Sequence, residues 1–246
     1  MKISIIGLGR FGSLLANNLI NSHQLNGTTR SVEKQKKKLA EGICCEVLNQ
    51  SLTPSESILN VDCVILNIPP FEGQLAWFKK WDWNIKAHLI FISSTSVYGE
   101  IEGLVDETTP PCPESPNAKN LFEEEQWVTT FPNHTIIRFG GLIGHNLHPG
   151  TFLSGRQNLP GGNQAVNLIH LDDCVDFTKL VVEQKIKNDI FNLVYPSHPT
   201  RQNYYQSFCK KHFLELPEFN LDPSPGKLIK SQKVESIYQF KKDINI

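Results

Sequence analysis

The chain has 246 residues, 39% of them hydrophobic, and a formal net charge of -1. That length can bury a sizeable core, as one large domain or as a nucleotide domain carrying a smaller lobe. The balanced charge gives no general attraction to nucleic acid, no apolar run reaches membrane-spanning length, and no basic segment leads into a signal-peptide core; a cytoplasmic protein with neither nucleic acid nor membrane as partner is expected. Six cysteines without any C-x-x-C spacing read as reduced thiols.

The first segment, M-K-I-S-I-I-G-L-G-R-F-G, is a short apolar strand running into G-x-G-x-x-G, with a helix expected over Phe11–Ile20. In this setting Gly7 permits a tight turn, Gly9 leaves room for a pyrophosphate, and Gly12 lets the helix pack close to the sheet. The N–H groups opening the helix, at Arg10 and Phe11, would face the phosphates. Glycines alone also mark ordinary turns; the strand–turn–helix context is what favours a dinucleotide site. A second strand is expected at Gln24–Thr29, then a helix over Val32–Ala40 and a third strand at Cys44–Leu48.

Arg30 follows the second strand where an NAD site usually carries a carboxylate for the adenine ribose; the segment reads N-G-T-T-R-S instead. A guanidinium pairs well with an added ribose phosphate, and Thr29 or Ser31 could add a hydroxyl donor. NADP is therefore favoured, with NAD as the alternative; Glu33 argues against it, and a solvent-facing arginine is the plain reading. Val61–Asn67 is a strong β-former ended by Pro69 and Pro70. Asn67, Pro69 and Pro70 fall at a strand's C-terminal end, where ligand crevices form, although strand termination alone explains the prolines.

Further strands are expected at Leu89–Ser93, Thr135–Phe139 and Asp189–Val194, and helices over Ala118–Thr130, Asp172–Gln184 and Thr200–Phe213. The alternation predicts an α/β fold: a Rossmann-like doubly wound parallel sheet with a small C-terminal substrate lobe. Residues 1–145 are assigned to the dinucleotide domain and 146–246 to a mixed region whose elements partly return to it. His145–Gln164, rich in glycine and polar residues, reads as loops or a hairpin, and Pro217, Pro223 and Pro225 fall in the second lobe.

Ser93–Gly99 reads S-S-T-S-V-Y-G. With the G-L-G-R-F-G opening, D-E-T-T-P-P at Asp106–Pro111 and N-L-I-H-L-D-D at Asn167–Asp173, in that order, the sequence resembles the extended or atypical short-chain dehydrogenase/reductase superfamily, in particular its NAD-dependent epimerase/dehydratase-like members. The resemblance covers most of residues 1–200. It implies a serine after the central strand that orients substrate, best matched by Ser94, with Ser93, Thr95 or Ser96 as alternatives. It also implies a tyrosine four residues before a lysine, the first exchanging the substrate hydroxyl proton and the second holding the nicotinamide ribose.

The corresponding pair here is Ser115 and Lys119. A serine hydroxyl is a poor acid–base group at neutral pH. Tyr98 is the candidate replacement for proton transfer, with a structural or substrate-facing role as its competing reading; Lys119 is either the ribose ligand or an exposed helix residue. Arg138 could meet a phosphate or substrate carboxylate, or form a structural salt bridge. Arg156 could recognise a sugar phosphate or another anion, with a solvated loop arginine as the plain reading. His170 and Asp173 suit the turn into the next helix, and no metal is expected, for want of a complete ligand set. The tryptophans at 77, 81, 83 and 127 read as packing.

Two functions compete. One is an NAD(P)-dependent oxidoreductase or epimerase acting on a carbohydrate-like or nucleotide-sugar substrate, a small molecule that is sugar-like or phosphorylated. The other is a catalytically weak or inactive NADP-binding sensor or scaffold; a purely structural α/β domain without ligand is the reading that competes with both.

Overall fold

The structure is a computed structural model and describes residues 1–221 and 224–244; Pro223 lies outside the described residues. The elements follow in order: β1 (Lys2–Ile6), α1 (Arg10–Leu19), β2 (Gln24–Thr29), α2 (Val32–Ala40), β3 (Cys44–Val47), α3 (Glu56–Leu59), β4 (Cys63–Leu66), α4 (Gln74–Phe78), β5 (His88–Ser94), a 3-10 turn (Thr95–Tyr98), β6 (Gly103–Val105) and α5 (Pro116–Val128). Then come β7 (His134–Phe139), β8 (Gly141–Ile143), α6 (Pro149–Leu153), β9 (Leu168–His170), α7 (Leu171–Gln184), β10 (Asp189–Leu193), α8 (Arg201–Lys211), β11 (Lys227–Ile229) and α9 (Gln232–Glu235).

The main sheet is seven-stranded, in the order β10-β7-β5-β4-β1-β2-β3. Parallel pairing places Ile5 opposite both Gly27 and Ile65, and Ile65 opposite Ile90. These strands are buried on both faces, and for that reason they read as continuous apolar runs rather than alternating ones. This is the expected Rossmann-like α/β sheet flanked by helices. Two small two-stranded sheets, β11-β6 and β8-β9, also form.

The chain forms two compact units. The first comprises Met1–Ser94, Ser115–Arg138 and Val175–Ile190; the second comprises Thr95–Glu114, Phe139–Cys174 and Phe191–Ile246. A single cut near residue 145 does not describe this division, because residues 95–114 cluster with the second unit through β6, whose pairing partner β11 lies far downstream. The 145–164 segment, expected as loops or a hairpin, contains the short helix α6, opened by Pro149 and by His148 accepting the Gly150 N–H at 3.0 Å.

In the first unit, an aromatic shell covers one helix layer. Trp77 and Trp81 meet at 4.7 Å, Trp81 and Trp83 at 5.2 Å, and Trp83 and Trp127 at 5.4 Å, so all four tryptophans pack as expected. No disulfide forms among the described residues. Among the same residues, no helix is long and apolar enough to cross a membrane.

Candidate functional site

The site is built at the C-terminal end of β1. Gly7 has φ +107°, and a Cβ there would lie 2.1 Å from the Asn67 carbonyl oxygen. Only glycine fits this turn. Its N–H donates to Thr28 Oγ1 at 3.1 Å, the Leu8 N–H donates to the Thr28 carbonyl at 2.8 Å, and the Asn67 side-chain amide donates to the Gly7 carbonyl at 3.1 Å. The turn is therefore pinned to β2 on one side and β4 on the other. Gly12 is needed for a different reason: a Cβ would sit 2.3 Å from the Gly7 carbonyl oxygen, so the glycine sets how closely α1 approaches the strand.

Gly9 differs from both. It is the N-cap of α1, with φ -75°, and a Cβ there would meet nothing within 4 Å. Neither its backbone nor its neighbours require glycine. The space above it opens into a crevice of about 870 Å³ within the first unit, inside the range of about 300–1,000 Å³ typical of ligand clefts.

Of the residues expected to touch a cofactor, Gly7, Gly9, Arg30, Asn67, Pro69 and Pro70 line this crevice. Arg10, Phe11 and Gly12 do not line it. The Phe11 side chain is buried in the core and Arg10 is exposed, so any part these two play would be through the backbone at the helix start.

Opposite the glycine turn, Arg30 and Lys34 both line the crevice, and no carboxylate is among its described lining residues. Ser31 caps α2 by accepting the Lys34 N–H at 3.3 Å, which sets Lys34 in the first turn beside Arg30. Lys34 was not anticipated from the sequence, nor were Asn49, Gln50 and Ser51 after β3. The rule that ligands gather at C-terminal strand ends, applied to the third strand, would have found the latter three. Phe71 and Trp77 close the apolar side, with the Trp77 indole N–H donating to the Leu52 carbonyl at 2.7 Å.

Ser94, Tyr98 and Lys119 are not part of this lining. Ser94 ends β5, half-buried, and Lys119 is exposed in the first turn of α5; both belong to the first unit. Tyr98 belongs to the second unit and is fully buried. Its hydroxyl lies 2.9 Å from both the Asp106 carbonyl oxygen and Asn192 Oδ1. Ser115, at the position where the resembling enzymes place tyrosine, is the N-cap of α5, accepting the Ala118 N–H at 3.2 Å, with Pro116 following it.

Of the open alternatives, two close structurally. Ser93 donates to Glu125 Oε1 at 2.6 Å, and Arg138 donates to the same carboxylate through Nε at 2.9 Å and Nη2 at 2.6 Å, all in the interior of the first unit. Arg138 thus forms a structural ion pair. In the second unit, the Asp172 N–H donates to His170 Nδ1 at 3.1 Å, and Asp173 accepts the Tyr238 hydroxyl at 2.6 Å and the Lys241 N–H at 2.8 Å. These residues hold the turn into α7. Among the described residues, no group of three or more His, Cys, Asp or Glu is placed to hold a metal ion.

Fold and glycine turn together define a Rossmann-like α/β protein. Two solved structures have the same fold over nearly the whole chain. A functionally unknown conserved protein from Silicibacter pomeroyi matches with a TM-score of 0.81 at 18% identity, covering 99% of this chain and 95% of its own. UDP-glucuronic acid 4-epimerase from Bacillus cereus, solved in complex with NAD, matches with a TM-score of 0.77 at 19% identity, covering 99% and 92%. In sequence the chain is 30% identical to Protein YeeZ of Escherichia coli strain K12 over an alignment of 254 residues, which covers 95% of this chain and 92% of YeeZ. The chain belongs to the YeeZ family. No protein-family model matches it.

Proposed function

We propose that the chain binds a nicotinamide dinucleotide in the crevice of the first unit and acts as an oxidoreductase or epimerase on a small sugar-like substrate. The observation that carries this is Gly9, a glycine that the fold does not require, placed at a helix N-terminus above an open crevice. A phosphate there needs the room that a side chain would take, and it gains from the helix dipole and the first N–H groups. When bound, the nicotinamide ring supplies or accepts a hydride. Arg30 and Lys34, in a described lining that includes no carboxylate, suit the additional phosphate of NADP better than the bare ribose of NAD.

In this reading Ser94 orients the substrate and Lys119 holds the nicotinamide ribose. Tyr98 moves the proton only if its hydroxyl leaves Asp106 and Asn192. A second reading, a dinucleotide-binding protein with little or no turnover, is favoured by Ser115, whose hydroxyl caps a helix where the related chemistry needs a phenol.

Calorimetry with NADPH and NADH on the wild-type chain and Arg30→Ala tests the cofactor assignment. NADPH binding is expected to weaken by about 1.5–3 kcal/mol in the variant, the range for losing a hydrogen bond to a charged group, with little change for NADH. Equal wild-type affinity for both, unchanged by the substitution, rejects the NADP preference. Single-turnover hydride transfer across sugar-nucleotide, aldehyde and ketone substrates then separates the two readings.

A further inference from the structure

The second unit carries a shallow, open cleft of its own. It has a volume of about 660 Å³ and lies between the segment after β10 and the segment after α9. Three aromatic rings form its wall. Tyr195 and Phe240 meet edge to face at 5.7 Å and 72°, and Phe240 and Tyr238 at 5.7 Å and 84°. Tyr195 and Phe240 are partly exposed, whereas Tyr238 is buried behind them.

A buried carboxylate anchors one side of this wall. Asp173 receives the Tyr238 hydroxyl at 2.6 Å and the backbone N–H groups of Lys241 and Lys242 at 2.8 and 3.1 Å, while the Tyr238 N–H donates to the Val234 carbonyl at 2.8 Å. One carboxylate thus fixes both the aromatic ring and the backbone just beyond Phe240. The rim is polar: Ser197, Glu235 and Gln239 are exposed around the rings. Glu235 is the one charged residue among the described lining, so the cleft offers no cation for a phosphate and its polar contacts suit a neutral ring.

We propose that this cleft binds a neutral pyranose ring, either as a free glycoside or as the sugar of a nucleotide-sugar. A pyranose presents C–H groups on its faces and hydroxyls at its edge. Partly exposed aromatic rings match the former; a carboxylate, an amide and a hydroxyl match the latter. The preset wall lowers the ordering cost of binding. None of these residues lines the crevice of the first unit, so the inference does not depend on the dinucleotide reading.

Saturation-transfer NMR on the full chain tests it, with methyl β-D-glucopyranoside, methyl β-D-galactopyranoside and UDP-glucose as probes. Transfer to pyranose protons of at least one glycoside and of UDP-glucose is expected, falling at least fivefold in Tyr195→Ala and Phe240→Ala. If either variant loses its cooperative thermal transition, Gln239→Ala at the exposed rim replaces it, with at least a twofold fall expected. Absence of transfer to any pyranose, transfer confined to the uracil ring, or transfer unchanged in the folded variants overturns the proposal. NADPH binding is measured on the same samples. Sugar binding without NADPH binding overturns only the dinucleotide reading; the reverse overturns only this one.

Discussion

Gly9 and Gly7 are both glycines in one turn, yet their substitutions should separate stability from binding. A Cβ at Gly9 meets no atom within 4 Å and suits its φ of -75°. Gly9→Ala should cost no more than about 1 kcal/mol of unfolding free energy, the preference for glycine over alanine at an N-cap, while weakening NADPH at least tenfold. Denaturant titration and calorimetry on the same preparation check both halves; retained affinity would remove the main support for a phosphate above this residue. At Tyr98 the hydroxyl serves the interior. Tyr98→Phe leaves the groups at Asp106 and Asn192 without it and should cost about 1–3 kcal/mol of stability, measured by urea unfolding. A change below a few tenths of a kcal/mol would mean that those contacts contribute nothing net.

At the scale of elements, the Ser93–Glu125–Arg138 cluster ties the end of β5 and the end of β7 to the C-terminal half of α5. All three side chains are buried, and the guanidinium meets the carboxylate through two nitrogens. Removing one partner of such a pair strands the other charge in the interior. Arg138→Ala should therefore cost about 3–5 kcal/mol, read from chemical denaturation. A loss under about 1 kcal/mol would show that the pair is not fully desolvated.

For the whole molecule, buried titratable groups set opposing pH slopes. Burial, helped by the neighbouring Glu123 charge, pushes the Glu124 carboxyl up to about 8, and neither of its oxygens has a hydrogen-bond partner among the described residues. As pH rises from its ordinary 4.5 toward 8, the unfolded chain loses this proton while the folded chain keeps it, so stability falls. Burial holds His88 and His148 down to about 4. As pH falls from 6.5 to 4, the unfolded chain gains protons that the folded chain refuses, and stability falls again. A maximum between these arms is expected. Glu124→Gln should flatten the alkaline arm, its advantage growing by up to about 1.4 kcal/mol per pH unit between pH 5 and 8. Urea midpoints that shift equally at both pH values would remove Glu124 as the source.

What the sequence determined by itself was local and repetitive. Apolar runs at Val61–Asn67 and Leu89–Ser93 mark strands buried on both faces, and G-L-G-R-F-G fixes the turn between the first strand and its helix, because these signals lie within a few residues of one another. The short strands β6, β8 and β11 escaped notice, since three residues carry no period and their stability comes from partners far along the chain. Only the tertiary structure decided that residues 95–114 join the second unit, that Lys34 stands beside Arg30, and that Ser115 is a helix cap. It also decided that Arg138 is spent on Glu125 and that the Tyr98 hydroxyl is enclosed. A side chain's available chemistry depends on which distant groups reach it and on whether water does, and neither is set by its neighbours in sequence.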